Sequence, residues 1–121
     1  MLKKRIMVID DDHSILDVVS IILESHGYEP VLLNSSHNII KKIEEHKPTV
    51  ILLDVHLGGT DSRVLCKEIK DIEEHSTIPI ILFSANAAHA KSVNDYLCDD
   101  FIEKPFELTS LIGMINRYSL N

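Results

Sequence analysis

Five short apolar segments, each followed by a segment with helical spacing, constrain the fold of this chain more than any other feature. The apolar segments are mostly rich in β-branched residues and continuous rather than alternating; they lie at residues 6–9, 30–33, 50–53, 78–83 and 101–102. Continuous apolar strands are typical of a parallel sheet buried on both faces. Alternation of strands with helices predicts an α/β fold, with a doubly wound, five-stranded parallel sheet and helices on both faces.

The segments after the strands carry apolar residues at helical spacing. These stripes lie at residues 15–22, 39–43, 65–72, 90–97 and 108–115. We therefore predict five helices, with Gly27 following the first and Pro48 ending the second. The fourth stripe, formed by Ala90, Val93 and Leu97, is the weakest of the five.

The composition excludes several classes of protein. With 121 residues, 45% of them apolar, residues 1–121 are predicted to form a single folded domain. No apolar run approaches the roughly 20 residues that span a bilayer. The net charge of −7 disfavours direct binding of nucleic acid. The two cysteines, Cys66 and Cys98, are too few for a disulfide scaffold and are expected to be small buried hydrophobic residues. We expect a cytoplasmic domain, with no membrane contact, whose partners are proteins, cations or small molecules.

Polar residues come directly after four of the five predicted strands. In an open parallel sheet, ligands bind beyond the carboxyl ends of the strands. If the second strand lies at an edge, the side chains after the other four strands converge on one pocket. These side chains are Asp10, Asp11, Asp12, Asp54, Ser84 and Lys104.

Crowded carboxylates repel one another unless a cation neutralises them. Oxygen ligands suit Mg²⁺, and a carboxylate beside Mg²⁺ can act as a nucleophile that accepts a phosphoryl group. Ser84 and Lys104 would then bind the phosphoryl oxygens. Taken singly, each residue has an ordinary structural explanation, such as helix capping by the aspartates. The four complementary groups together favour the functional interpretation, and the seven histidines show no spacing that indicates a transition metal.

The motifs around these residues resemble the receiver domain of bacterial response regulators, the phosphoacceptors of two-component and phosphorelay signalling. The resemblance covers nearly the whole chain. It rests on the apolar strand before the acidic pair Asp10 and Asp11, and on the strand that ends in Asp54. It also rests on the strand ending at Ser84 and on the segment 101–106, which is similar to the family's Lys-Pro-Phe signature.

The resemblance implies a flavodoxin-like (βα)5 fold with strand order 2-1-3-4-5. It also implies the role of each site residue. Asp54 is the phosphorylation site, with Ser84 and Lys104 binding the phosphoryl group. Mg²⁺ is the cofactor: Asp11 and Asp54 bind it directly, Asp10 through water, and His56 through its backbone carbonyl.

The switch implied by the resemblance involves Ser84 and Phe101. Phe101 stands where the family places an aromatic switch residue, but it lacks the hydroxyl of the more common tyrosine. A cis peptide bond is implied before Pro105. The chain departs from the usual pattern after Asp54, where Gly58 and Gly59 predict a more mobile loop. Ser62, in place of a glycine, leaves the turn before the third helix open.

The partners implied are a histidine kinase or a histidine phosphotransfer protein. A homodimer could form through the fourth helix, fifth strand and fifth helix, from about residue 87 to residue 120. The only catalysis expected is self-phosphorylation and self-dephosphorylation, so the chain is not predicted to be an enzyme.

Three alternatives remain open. A flavodoxin-like module that binds a flavin phosphate would need an anion cradle after the first strand, where Asp10 to Asp12 would repel it. A phosphatase of the haloacid dehalogenase type would carry a second aspartate at the position of His56. A receiver-like fold that binds proteins without phosphorylation is disfavoured by Asp11, Asp54, Ser84 and Lys104.

Overall fold

A computed structural model describes residues 2–120 of the chain. Strands and helices alternate along most of its length, as the apolar segments predicted. The strands are β1 (Arg5–Ile9), β2 (Glu29–Leu33), β3 (Val50–Asp54), β4 (His56–Leu57), β5 (Thr60–Asp61), β6 (Ile80–Ser84) and β7 (Asp100–Glu103). The α-helices are α1 (His13–Ser25), α2 (Ile39–His46), α3 (Val64–Lys70) and α4 (Leu108–Tyr118), and two 3₁₀ helices span Glu73–His75 and Ala87–Ser92.

The main sheet has five parallel strands in the order β2-β1-β3-β6-β7. Numbered by these five strands alone, this is the order 2-1-3-4-5, so the flavodoxin-like fold is confirmed. β2 is an edge strand, as the convergence of the other four strand ends required. The chain order reverses between β1 and β3, which places the switch point of the sheet at the ends of these two strands.

Two apolar clusters cover the two faces of the sheet. One face packs against α1 and α4, and the other against α2 and α3. Successive strand residues alternate between the clusters: Ile6 and Val8 belong to the first, Met7 and Ile9 to the second. Every residue of β3 and β6 is buried, which explains why these strands are continuous apolar runs in the sequence.

The predicted fourth helix is wrong. Residues 87–92 form a 3₁₀ helix instead, and the chain turns through residues 93–97 before β7. The Asn86 side chain accepts a hydrogen bond from the amide of Ala88, and the Ser92 hydroxyl donates to the carbonyl of His89. Such local side-chain bonds compete with α-helical ones. Leu97 then adopts a positive φ of 62° and is exposed, so it does not continue an apolar stripe.

A small antiparallel hairpin comes after β3, where the sequence indicated only a mobile loop. β4 and β5 pair around Gly58 and Gly59, whose φ angles are 56° and 81°. A two-residue hairpin turn with positive φ at both positions favours glycine, because other residues are strained there. Mobility of this turn stays a prediction.

Both cysteines are buried, as expected: Cys66 on α3 and Cys98 before β7. Their Sγ atoms lie 2.7 Å apart. The hydrogen bond from Cys98 and burial together raise the pKa of the Cys66 thiol well above its ordinary range. Within residues 2–120, no helix is both long and apolar enough to cross a membrane.

Candidate functional site

The register of the sheet brings Asp10 and Asp54 side by side. Ile9 of β1 pairs with Leu53 of β3, so the next residue of each strand is an aspartate at the same edge. Partner residues in a parallel pair point to the same face of the sheet. Both carboxyl groups are buried: Asp10 has no exposed surface, and Asp54 is 6% exposed.

Asp11 completes a cluster of three carboxylates. One oxygen each from Asp10, Asp11 and Asp54 lies within 4.8 Å of the other two. Asp11 is exposed, unlike the other two, and accepts a hydrogen bond from the amide of Gly58 at 3.0 Å. The hairpin turn therefore holds Asp11 at the mouth of the site, over the two buried carboxylates.

Lys104 supplies the positive charge of the site. Lys104 comes after β7, and its amide donates a 2.8 Å hydrogen bond to the carbonyl of Ser84, which fixes its backbone. Its ammonium Nζ lies 2.6 Å from Asp10 Oδ2 and 3.5 Å from Asp54 Oδ2. The same Nζ lies 4.7 Å from the centre of the Phe83 ring. One ammonium faces three carboxylates, so the cluster keeps an excess of negative charge that a divalent cation would neutralise.

Asp54 is the carboxyl group most affected by this crowding. Burial, followed by the nearby charge of Asp10, raises the pKa of Asp54 to about 6, although Lys104 opposes the rise. Oxygen ligands in a negatively charged cluster fit Mg²⁺, which takes one or two carboxylates and keeps several waters. The donor set therefore fits the metal that the sequence predicted.

The segment after Asp54 is held to the strand by backbone and side-chain hydrogen bonds. Ser62 is buried; its hydroxyl donates to the carbonyl of Asp54, and its amide donates to the carbonyl of Val55 at 2.7 Å. Ser62 therefore closes the loop 55–62 in the place where the family usually has a glycine. His56 is exposed, and its amide donates to Asp54 Oδ1 at 3.3 Å.

Ser84 ends β6 and is buried at the same edge of the sheet. Its Oγ accepts a hydrogen bond from the amide of Asn86 at 3.0 Å and lies 2.8 Å from His89 Nδ1. The His89 ring also lies against the His56 ring, with 5.3 Å between the ring centres. Burial, together with the nearby Arg63, lowers the pKa of His89 below its usual value. No pattern in the sequence indicated the contact between Ser84 and His89.

The two remaining predicted features lie on and after β7. Phe101 is half-buried and packs against the cluster that contains Val93, Tyr96 and Cys98. The peptide bond between Lys104 and Pro105 is cis, as the resemblance implied. The structure thus brings Asp10, Asp11, Asp54 and Lys104 into one pocket, with Ser84 on the adjacent strand end. The part of Phe101 in a switch stays a prediction.

The comparison with known families agrees with this architecture. Residues 6–116 match the family described as response regulator receiver domain, so the chain belongs to this family. It is a signalling domain rather than a classical enzyme.

Two curated relatives are named as regulators, and the chain spans about half the length of each. The Heme response regulator HssR of Staphylococcus saprophyticus is 31% identical over 121 residues, which cover 95% of this chain and 53% of the relative. The Transcriptional regulatory protein YxdJ of Bacillus subtilis is 32% identical over 113 residues, which cover 92% of this chain and 48% of the relative.

Solved structures show the same fold. A putative response regulator from Chloroflexus aurantiacus superposes with a TM-score of 0.91 at 22% identity, over 99% of this chain and 100% of the other. The receiver domain of NtrX from Brucella abortus superposes with a TM-score of 0.84 at 31% identity, over 94% of this chain and 97% of the other.

Proposed function

We propose that this receiver domain accepts a phosphoryl group on Asp54 in a reaction that requires Mg²⁺, and signals through a conformational switch. The observation that carries the proposal is the cluster of Asp10, Asp11 and Asp54 beside Lys104. Such a cluster is unfavourable for a purely structural site, because the like charges raise the free energy of the folded state. A site that binds a cation and transfers a charged group accounts for it.

The proposed transfer is a displacement at phosphorus. A carboxylate oxygen of Asp54 forms the new bond to phosphorus, and the bond to the donor breaks, with its electron pair leaving on the donor. For a phosphohistidine donor the bond that breaks joins phosphorus to nitrogen, and the imidazole leaves with the pair. Catalysis of this kind depends on positioning and on charge stabilisation.

Each residue of the pocket has a part in this proposal. Asp11 and Asp54 would hold Mg²⁺ directly, Asp10 through water, and His56 through its backbone carbonyl. The metal neutralises negative charge on the transferred group. Lys104 already lies 3.5 Å from Asp54 and would pair with the phosphoryl oxygens, while the Ser84 hydroxyl would donate a hydrogen bond to them.

The proposal includes the partners and the output. As a receiver domain, the chain is expected to take the phosphoryl group from a histidine kinase or a histidine phosphotransfer protein in the cytoplasm. The output surface is the face formed by residues 87–120, with Phe101 as the relay. Leu97 and Leu108 are exposed apolar residues on this segment, which supports a protein partner there, including a second copy of the chain.

The test is phosphorylation of the purified chain by acetyl phosphate, measured by intact-mass spectrometry. With Mg²⁺ we expect the mass of one added phosphoryl group. Asp54→Asn should remove the addition, and so should a chelator in excess over Mg²⁺. Asp12→Asn is the matched control, because Asp12 is an exposed neighbour whose capping bond to Ser14 an asparagine can keep.

The alternatives give different results. A domain that binds proteins without phosphorylation would show no added mass in any variant. Labelling that persists in Asp54→Asn, or that ignores the chelator, would contradict the assignment of the site.

A further inference from the structure

The Ser84 hydroxyl carries one proton, and its environment determines where that proton points. The residue is 1% exposed, so its hydroxyl has almost no access to water. Among residues 2–120, Ser84 Oγ has two hydrogen-bond partners, the amide of Asn86 and Nδ1 of His89. The amide is a donor. Since a buried hydroxyl that lacks an acceptor is costly, the Ser84 proton is donated to His89 Nδ1.

His89 is itself held in place by contacts that reach back to the phosphorylation loop. Its carbonyl accepts a hydrogen bond from Ser92 Oγ at 2.7 Å, and Ser92 Oγ accepts one from Arg63 Nη1 at 2.9 Å. Arg63 in turn donates to the carboxylate of Asp61, which lies in β5. The His89 ring packs on the His56 ring. The acceptor for Ser84 is therefore fixed by the segment that comes after Asp54.

We propose that His89 is a positioning residue that engages the Ser84 hydroxyl proton in the unphosphorylated domain, so that a phosphoryl group at Asp54 must compete with His89 for it. This inference rests on the proposed function. The Ser84 hydroxyl cannot donate to Nδ1 and to a phosphoryl oxygen at once. The hydrogen bond to His89 therefore favours the unphosphorylated state and raises the cost of switching.

The test uses beryllofluoride, which stands for the phosphoryl group, added with Mg²⁺ to the whole chain. Its affinity is measured by calorimetry for wild type, His89→Leu and His89→Asn. Leucine places a carbon where Nδ1 lies and has no acceptor, whereas asparagine keeps an oxygen at the same position along the side chain. The net contribution of one hydrogen bond corresponds to about a fivefold change in an equilibrium constant. We expect His89→Leu to bind about fivefold more tightly and His89→Asn to resemble wild type.

Three controls separate positioning of Ser84 from a general structural effect. Lys91→Ala alters an exposed residue of the same 3₁₀ helix and should leave the affinity unchanged. In a Ser84→Ala background, His89→Leu should no longer change the affinity. In ¹⁵N NMR spectra of the free protein, His89 should carry its proton on Nε2, and the Nδ1 resonance should move when beryllofluoride binds.

The outcomes are distinct. Equal affinity for wild type and His89→Leu, or the same gain with and without Ser84, would overturn the inference, and so would a His89 ring protonated on Nδ1 in the free protein. If wild type itself binds no beryllofluoride at Asp54, the proposed function fails and the inference falls with it. If wild type binds and only the His89 results fail, the inference alone is refuted.

Discussion

Replacing Asp54 with asparagine should stabilise the metal-free protein at neutral and alkaline pH, although it removes the proposed phosphorylation site. Burial and the charge of Asp10 raise the pKa of Asp54 from 3.8 to about 6 in the folded state. The folded protein thus holds the Asp54 proton more tightly than the unfolded chain does. The stability that this proton provides is fully present below pH 3.8 and is lost as the pH rises through 6.

The magnitude comes from the pKa difference. Each pKa unit corresponds to about 1.4 kcal/mol, so the rise from 3.8 to about 6 corresponds to about 3 kcal/mol. Asparagine resembles the protonated carboxyl group and carries no charge at any pH. Lys104 keeps its partner in the variant, because Asp10 lies 2.6 Å from its ammonium. We therefore expect Asp54→Asn to raise the free energy of unfolding by up to about 3 kcal/mol at pH 8, and by less than about 1 kcal/mol at pH 4.

The assay is urea unfolding followed by circular dichroism, at pH 4 and pH 8, with chelator present. Asp95→Asn is the matched control, because it removes the same charge from an exposed side chain. A gain in the Asp54 variant that is equal at both pH values would refute the electrostatic reasoning, and so would an equal gain in the control. A loss of stability at pH 8 would show that Asp54 contributes more through its contacts than it costs through repulsion.

The remaining predictions concern the metal, the switch and the cysteines. Asp11→Ala should abolish the rise in melting temperature that Mg²⁺ produces in wild type, because a ligand that binds only the folded state stabilises it; an unchanged rise would exclude Asp11 as a ligand. Phe101→Ala should still accept a phosphoryl group on Asp54 but lose the NMR shift changes that beryllofluoride induces in residues 87–120, and changes that persist would show that Phe101 is not the relay. Cys66 and Cys98 should react with a thiol reagent only after denaturation, because both are buried and the pKa of Cys66 is raised; fast reaction of the folded protein would contradict this.

The strand-end residues of the site could be predicted from the sequence because a buried strand determines the position of the residue at its carboxyl end. Asp10 and Asp54 each come at the end of a continuous apolar run, so the sheet register alone sets them side by side. Lys104 could be located in the same way from the short strand β7. These positions depend on hydrophobic periodicity, which is the strongest local signal in a sequence.

The segment between β6 and β7 could not be predicted in the same way. The spacing of Ala90, Val93 and Leu97 indicated a helix, but hydrogen bonds from Asn86 and Ser92 favour a 3₁₀ helix there. These bonds depend on local polar groups that apolar spacing does not register. The contact of His89 with Ser84 depends on the path of this irregular segment, so periodicity could not reveal it either.

The hairpin after β3 is an intermediate case. Two adjacent glycines between short segments are a recognised signal for a two-residue turn, yet Gly58 and Gly59 also fit the mobile loop that the sequence pattern indicated. The bond from the Gly58 amide to Asp11 could not be predicted, because it joins residues 47 positions apart. Long-range polar contacts of this kind require the assembled sheet.

The most direct test of the central claim is chemical trapping of the phosphorylated residue. An acyl phosphate is reduced by borohydride to an alcohol, so a phosphorylated aspartate becomes homoserine, whereas phosphoserine and phosphohistidine do not. The protein is treated with acetyl phosphate and Mg²⁺, reduced, digested and sequenced by tandem mass spectrometry. We predict homoserine at position 54 and at no other aspartate. Homoserine at position 10 or 11, or a phosphoryl group carried by Ser84 or His56 instead, would contradict the account.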